Sequence, residues 1–217
     1  MNLSNRRDIV FLVLAGFFIT NALVAELIGG KLVQFFGGLF TQSVGIILWP
    51  VVFILTDLIN EYFGKDGVKK LTYITIGLIS FTFIILSIAL NIDATSFSPV
   101  SNENFSAVFG QSQWIIVGSI IAFLVSQLVD VYVFWFLKSF TGNKYIWIRA
   151  TGSTLVSQLV DTFVVQFIAF VVPGKWAFNE FLINASWGYA FKLIVALALI
   201  PLIYVGHFVI GKYINKK

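Results

Sequence analysis

The chain has 217 residues, of which 59% are hydrophobic and 11% charged, and its mean hydropathy is +0.93. Soluble domains carry roughly 25% charged residues, so a soluble fold of this composition would lack the polar surface to cover itself. The absence of cysteine and the single histidine exclude disulfide frameworks, thiolate chemistry and histidine-based metal or triad sites. The net charge of +4 resides in short segments between apolar runs, which indicates membrane topology rather than nucleic-acid binding.

Six apolar stretches are long enough to span a bilayer, which needs about 20 predominantly apolar residues. In chain order, the predicted spans are Ile9–Gly29, Val44–Phe63, Leu71–Asn91, Trp114–Leu137, Ala150–Val172 and Phe181–Ile210. The first span is too long for a signal peptide and lacks a small-residue cleavage site, so we interpret it as a retained helix. Pro50 lies inside the second span, where we expect a local kink.

Two of the predicted loops have a distinctive composition. The segment Gly29–Ser43 is apolar and glycine-rich, so we expect it to re-enter the membrane or to lie along its interface. The segment Asn91–Gln113 is the most polar stretch and predicts a periplasmic loop with a short helix near Asn104–Phe109. Nothing resembles a second domain, so we predict a single transmembrane domain over residues 1–217.

The distribution of basic residues predicts the orientation. If six helices alternate, eleven of the fourteen Lys and Arg residues fall on one side: Arg6, Arg7, Lys65, Lys69, Lys70, Lys138, Lys144, Arg149, Lys212, Lys216 and Lys217. By the positive-inside rule, that side and both termini are cytoplasmic. The topology places Lys69, Asn143 and Lys217 in the cytoplasm, and Asn102 and Asn179 in the periplasm. The predicted fold class is therefore all-α, a polytopic membrane protein of six helices.

The heptapeptide Leu-Val-Ser-Gln-Leu-Val-Asp occurs twice, at Leu124–Asp130 and Leu155–Asp161. The copies fall in predicted helices four and five, which are antiparallel neighbours in this topology. In each copy Gln and Asp are three residues apart, so Gln127 shares a helix face with Asp130 and Gln158 shares one with Asp161. Transporters with internal pseudo-symmetry place their sites where the repeats meet. A three-plus-three inverted repeat is one such arrangement, although helices one to three do not align with four to six.

Three aspartates, Asp57, Asp130 and Asp161, fall within the predicted spans. An ionised Asp near the bilayer centre costs at least about 2.5–3.5 kcal/mol, so each needs a reason. One reason is a polar cavity between helices two, four and five that binds a polar solute or carries protons. The other is hydrogen bonding between helices, for which neutral residues would suffice at about 0.6 kcal/mol each. We favour the cavity, and expect Asp161→Asn to abolish uptake yet to insert like the parent, because a neutral amide is easier to bury.

Other polar residues of the spans leave alternatives open. Lys192 either extends outward to the interface or reaches inward to pair with a carboxylate. Asn21 and Glu26 lie in helix one, and Glu26 either pairs with Lys31 or Lys192 or lies at the membrane interface. Glu61 lies close to the headgroups, and a functional role and a structural role are equally favoured for it.

Several motifs are missing from the sequence. There is no Gly-x-x-x-x-Gly-Lys-Ser/Thr loop to use ATP, and no His-Glu-x-x-His or Gly-x-Ser-x-Gly of a hydrolase. We therefore predict that the chain is not an enzyme, and that it has no catalytic residues, cofactor or metal site. His207 is interpreted as structural.

Four blocks of residues, in the same order, resemble the queuosine precursor transporter family, 7-deazaguanine permeases once described as vitamin uptake transporters. They are Trp49-Pro50 to Thr56-Asp57 with Glu61 to Gly64; Ser126-Gln127, Asp130, Phe134 and Lys138; Arg149, Ser153-Thr154, Ser157-Gln158, Asp161-Thr162 and Phe167; and Tyr189 with Phe191-Lys192. Chain length and helix number agree. Helix one matches less distinctively, through Asn21, Ala25 and Lys31.

The resemblance implies uptake of 7-cyano- or 7-aminomethyl-7-deazaguanine across the cytoplasmic (inner) membrane for tRNA queuosine modification. It implies the following substrate-binding residues: Asp57, Gln127, Asp130, Gln158, Asp161, Lys192 and, more weakly, Asn21. A guanine-type edge presents an N1–H donor beside an amino group, and one carboxylate can accept hydrogen bonds from both. Gln amides can donate hydrogen bonds to the acceptors of the ring. The expected partners are the deazapurine and membrane lipid, not nucleic acid, with a homodimer left open.

Two alternatives remain at this point. In the first alternative the chain is a vitamin-capture subunit that relies on a separate ATPase module. In the second it is a non-transporting intramembrane assembly protein. Composition and spacing alone lead only to a transporter of a polar solute.

Overall fold

The computed structural model describes residues 5–110, 113–142 and 144–215. Its α-helices are α1 (Arg6–Ile28), α2 (Trp49–Leu90), α3 (Asn102–Phe109), α4 (Gln113–Thr141), α5 (Ile146–Gln166), α6 (Phe178–Ala198) and α7 (Ile200–Ile214). A hairpin of β1 (Leu32–Phe35) and β2 (Phe40–Ser43) and a 3₁₀ turn, Val44–Ile47, lie between α1 and α2. A π-helical turn, Phe167–Val171, extends α5. The predicted all-α class is confirmed, and the short hairpin is an addition to it.

Five stretches of the described residues are long and apolar enough to cross a membrane: Arg6–Ile28, Trp49–Leu90, Asn102–Thr141, Ile146–Val171 and Phe178–Ala198. Helix α7 is shorter but also apolar. Large apolar side chains cover the outside of the bundle, and Phe17, Phe136 and Phe208 are 61%, 63% and 68% exposed. Such a surface is stable against lipid and not against water.

Helix α2 contains the second and third predicted spans in one element of 42 residues. A straight helix of that length would measure about 63 Å, twice the hydrocarbon core. It is broken at Gly64, where φ is 75° and ψ is −177°, a conformation that is nearly restricted to glycine. Past the break the chain folds back, since a Cβ on Gly67 would lie 3.8 Å from Ile59 Cγ2. The predicted loop between Phe63 and Leu71 is therefore wrong, because its polar residues continue the helix beyond the apolar stretch.

Two of the four prolines, Pro50 and Pro201, start helices instead of bending them. Pro50 lies in the first turn of α2, where its missing N–H costs nothing, so the predicted kink at Pro50 is wrong. Pro201 lies likewise in the first turn of α7. The last predicted span, Phe181–Ile210, is consequently divided between α6 and α7 at Leu199.

One end of the bundle collects the basic residues, and we call it the basic end. There the Arg7 guanidinium donates to the Tyr62 carbonyl, and Arg6 lies over the ring of Tyr213. Tyr62 also bonds His207, in the structural role expected for that histidine. Asn143, Lys216 and Lys217, which the sequence assigns to this side, lie outside the described residues. The opposite end, which carries the β-hairpin, we call the hairpin end.

The hairpin end holds the two predicted loops. The Phe35 and Phe40 rings stack at 5.4 Å between centroids, and both contact Phe191 of α6. The Gly29–Ser43 segment is thus a hairpin packed against α6. The short helix expected near Asn104–Phe109 is confirmed as α3, with the Ser101 hydroxyl accepting from the Asn104 amide as its N-cap.

Candidate functional site

The two heptapeptide copies face one another across α4 and α5. The Ser126 hydroxyl donates to Asp161 Oδ1 at 3.4 Å, and the Ser157 hydroxyl donates to Asp130 Oδ1 at 3.0 Å. Each copy's serine therefore binds the other copy's aspartate, as a local two-fold axis between antiparallel helices requires. A three-plus-three repeat would relate helix four to helix one, so the duplicated heptads are a separate, local symmetry.

Lys192 of α6 reaches inward and pairs with Asp161 of α5. Its Nζ lies 2.9 Å from Asp161 Oδ2, and the two side chains are only 11% and 9% exposed. Of the two alternatives that the sequence leaves open for Lys192, the structure has the inward one. The pair joins α5 to α6 in the middle of both helices.

A cavity on the hairpin side of this pair, which we call the hairpin cavity, lies between α1, α4, α5, α6 and the strands. About 100 Å³ of it is accessible to the centre of a water molecule. Its polar lining comprises Glu26, Thr41, Gln42, Ser43, Ser119, Asp161, Gln166 and Lys192, and its tryptophans are Trp49 and Trp176. Glu26 accepts a hydrogen bond from Ser119. The cavity thus offers amides and carboxylates beside flat aromatic rings.

A second cavity, the central cavity, lies between α2, α5, α6 and α7. It is smaller, with about 30 Å³ accessible to a water centre, and its walls are mostly apolar. Its polar lining is Asp57, Thr151, Thr154, Gln158 and Lys192. Because Lys192, Trp49 and Ile46 line both cavities, the two meet at the Lys192–Asp161 pair.

The remaining predicted site residues lie at different distances from these cavities. Gln127 and Asp130 are fully buried between α2, α4 and α5, and Thr56 Oγ1 lies 3.4 Å from Gln127 Oε1. Neither lines a cavity. The Asn21 amide donates to the Phe17 carbonyl of its own helix at 2.8 Å, so the structure does not bring Asn21 to the other site residues.

Several buried polar atoms near the cavities have no hydrogen-bond partner among the described residues. They include Asp57 Oδ1, Asp130 Oδ2, Gln166 Oε1 and both amide atoms of Gln158. Buried polar groups in folded proteins are nearly always bonded, so unbonded ones mark places where a ligand's polar groups can bind. The Gln158 amide presents an acceptor and a donor side by side at the edge of the central cavity.

At the basic end, Glu61 has a structural partner. Arg149, only 1% exposed, makes a two-pronged contact with Glu61 at 2.8 and 3.1 Å, and Lys138 lies 3.4 Å from the same carboxylate. Arg149 also donates to the carbonyls of Gly142 and Lys144. Glu61 therefore ties α2 to α4 and α5 below the cavities.

Six polar residues of the hairpin cavity were not among the predicted site residues, although Glu26 was a candidate partner of Lys192: Glu26, Thr41, Gln42, Ser43, Ser119 and Gln166. Gln166 lies four residues after Thr162 and eight after Gln158, on one helical face, and that spacing could have indicated it. Gln42 could not be found in this way, because its position depends on the hairpin, where it bonds the Asn184 carbonyl at 3.3 Å.

The chain is similar to known proteins along most of its length. Residues 43–206, about three quarters of the chain, match the family described as "Putative vitamin uptake transporter". The chain belongs to this family. The transporter is also 31% identical over 176 residues to the Bacillus subtilis (strain 168) protein named "Probable queuosine precursor transporter", across 80% of this chain and 74% of the relative. No solved structure matches it.

The resemblance found in the sequence motifs is thus confirmed. The transporter is a multi-pass protein of the cell membrane, with its polar residues inside the bundle and its apolar residues outside.

Proposed function

We propose that this transporter imports a 7-deazaguanine precursor of queuosine, 7-cyano- or 7-aminomethyl-7-deazaguanine, across the cytoplasmic membrane as a secondary permease. The name of the Bacillus subtilis relative supports the substrate class. The observation that carries the proposal at the residue level is the Gln158 amide, buried and unbonded at both atoms, beside the Lys192–Asp161 pair.

The chemistry of this site suits a guanine-type ring. A deazaguanine has donors at N1–H and the 2-amino group and an acceptor at O6. A carboxylate accepts from the two donors, and an amide N–H donates to O6. We assign Asp161 and Gln158 to the edge of the ring, Gln166 to the hairpin side, and Trp49 to its face. Lys192 is the charge partner of Asp161.

We also propose that the chain crosses the membrane six times with both termini in the cytoplasm. The crossings are α1, the two arms of α2 on either side of Gly64, α4, α5 with its π turn, and α6 with α7. The collection of Arg6, Arg7, Lys138 and Arg149 at one end supports this orientation.

Competition uptake tests the proposed function. A host lacking both queuosine-precursor synthesis and its own transporter should accumulate a radiolabelled deazaguanine only when it produces this chain. Unlabelled 7-deazaguanines should compete, and adenine should not. Gln158→Met should abolish uptake, whereas Gln34→Met, on the exposed part of the hairpin, should not. If no deazaguanine enters the cells or competes for uptake, the proposal is refuted.

The two alternatives predict results that differ from those of the proposed permease when the purified chain is tested in proteoliposomes. A vitamin-capture subunit would need a separate ATPase module, so the purified chain alone in proteoliposomes would not transport. An assembly protein would show no saturable uptake at all. We expect uptake by the purified chain alone.

A further inference from the structure

We propose that Asp57 and Asp130 form a proton-binding site, distinct from the solute-contacting residues, that couples import to the proton gradient. This inference rests on the proposed transport function. The site lies between α2, α4 and α5, where the sequence analysis placed both aspartates among the solute ligands.

The two carboxyl groups are buried in the same polar region between α2, α4 and α5. Both residues are only 2% exposed. Ser157 of α5 donates to Asp130 Oδ1 at 3.0 Å, and Thr154, one turn earlier on α5, lines the central cavity together with Asp57. Asp57 of α2 and Asp130 of α4 therefore lie against the same part of α5. Asp57 Oδ1 and Asp130 Oδ2 have no hydrogen-bond partner among the described residues.

The charged groups on the surrounding elements are already engaged. They are Glu26 of α1 with Ser119, Glu61 of α2 with Lys138 of α4 and Arg149 of α5, Asp161 of α5 with Lys192 of α6, and His207 of α7 with Tyr62. Within residues 5–110, 113–142 and 144–215, no cation lies within 4.0 Å of either Asp57 or Asp130. The pair differs in this respect from Asp161 and Glu61.

Two neighbouring carboxylates in a medium of low dielectric, without a cation, cannot both remain ionised. One proton shared between them removes the repulsion and gives an O–H donor for an oxygen that otherwise has no partner. The site therefore binds one proton that is not part of the fold's other ion pairs.

The pocket also has a route for the proton. Asp57 lines the central cavity together with Gln158 and Lys192, and Lys192 lines the hairpin cavity as well. A proton can thus reach Asp57 past the solute residues from the hairpin end. Loss of the same proton toward the basic end would complete one cycle for each solute carried.

Proteoliposomes containing the purified chain test this coupling. An inside-alkaline pH gradient should drive accumulation of radiolabelled 7-aminomethyl-7-deazaguanine by the parent. Asp57→Asn and Asp130→Asn should lose this gradient-driven accumulation while retaining solute counterflow, which needs no net proton movement. Asp57→Glu, which keeps a carboxyl group, should recover part of it. Asp66→Asn, the same substitution at an exposed position of α2, should behave like the parent.

Three outcomes would overturn the proposal. Accumulation driven by a sodium gradient and not by pH would assign the site to a different ion. Unchanged pH-driven accumulation in both Asn variants would remove the aspartates from coupling. Loss of counterflow together with accumulation would make them solute contacts.

A spectroscopic measurement separates this site from the identity of the solute. The infrared spectrum of the parent should contain the C=O stretching band of a protonated carboxyl group. This band should be absent from the spectrum of Asp57→Asn or of Asp130→Asn. If the parent transports no deazaguanine but has this band, the proposed function fails and the proton site stands. If the band is the same in the parent and in both variants, the proton site fails whatever is transported.

Discussion

Neutralising the Lys192–Asp161 pair one side at a time should destabilise the protein more than neutralising both sides. The Nζ and Oδ2 atoms lie 2.9 Å apart, and neither side chain is more than 11% exposed. Asp161→Asn leaves the Lys192 charge buried without its partner, and Lys192→Gln does the same to Asp161. Breaking a buried pair in this way costs about 3–5 kcal/mol. This cost was not visible in the sequence, from which Asp161→Asn alone is expected to insert like the parent.

The double variant Lys192→Gln/Asp161→Asn should recover most of that loss. Two neutral amides can bond each other, and no charge remains buried. For a chain of this size, 1 kcal/mol corresponds to about 2–4 °C in the unfolding midpoint, so each single variant should melt roughly 6–20 °C lower. The two variants that carry Asp161→Asn should fail to import solute, because the amide offers only one acceptor oxygen.

Thermal unfolding in detergent, followed by size-exclusion chromatography, measures the first effect, and competition uptake measures the second. Lys175→Gln, at an exposed position of the hairpin end, is the matched control for charge loss. A double variant no more stable than either single variant would refute the buried-pair reasoning. Near-parental uptake by the double variant would remove Asp161 from the solute site.

Three further predictions concern the fold. Gly64→Ala should destabilise the protein by about 1–3 kcal/mol because its positive φ is strained for alanine, whereas Gly77→Ala, in an open part of the same helix, should not; melting of both variants checks this. Arg149→Met should lower the melting midpoint by an amount equivalent to about 3–5 kcal/mol, since it leaves a carboxylate buried without its two-pronged partner; a loss below 1 kcal/mol would contradict the contact. Single cysteines at Lys69 and Asn102, in a chain without native cysteine, should react with impermeant thiol reagents from opposite sides of the membrane; labelling from one side would contradict six crossings.

The sequence predicted the positions of the apolar helices well, because long apolar runs determine them directly. It also placed the heptapeptide copies on neighbouring helices, where the structure has them in α4 and α5. The segment after Gly64 was assigned wrongly to a loop. Its charged residues are good helix formers, and only the φ of Gly64 marks where the direction changes.

The direction of Lys192 and the composition of the hairpin cavity depend on contacts between distant segments. Lys192 and Asp161 are paired by the packing of α6 on α5, which no local pattern encodes. Gln42 enters the cavity only because β2 pairs with β1 and then bonds α6. Sequence reasoning therefore identified intramembrane polar residues but not which of them share a cavity.

The same contacts bear on whether the three aspartates simply hold helices together. The Ser157–Asp130 and Ser126–Asp161 bonds do join α4 to α5, as the structural interpretation expects. An asparagine would accept the same serine hydrogen bond without the cost of about 2.5–3.5 kcal/mol for a charge in the membrane. The serine hydrogen bonds thus explain why each position carries an acceptor oxygen, but not why that oxygen belongs to a carboxyl group.

What the carboxyl groups add differs between the sites. At Asp161 the second carboxylate oxygen pairs with Lys192 where the two cavities meet. A solute that binds there can displace Lys192 from the carboxylate or use its charge. At Asp130 and Asp57 the second oxygen has no partner among the described residues, which serves a group that gains and loses a proton. An unbonded carboxylate oxygen stabilises nothing, so its presence inside the bundle is better explained by transport than by assembly.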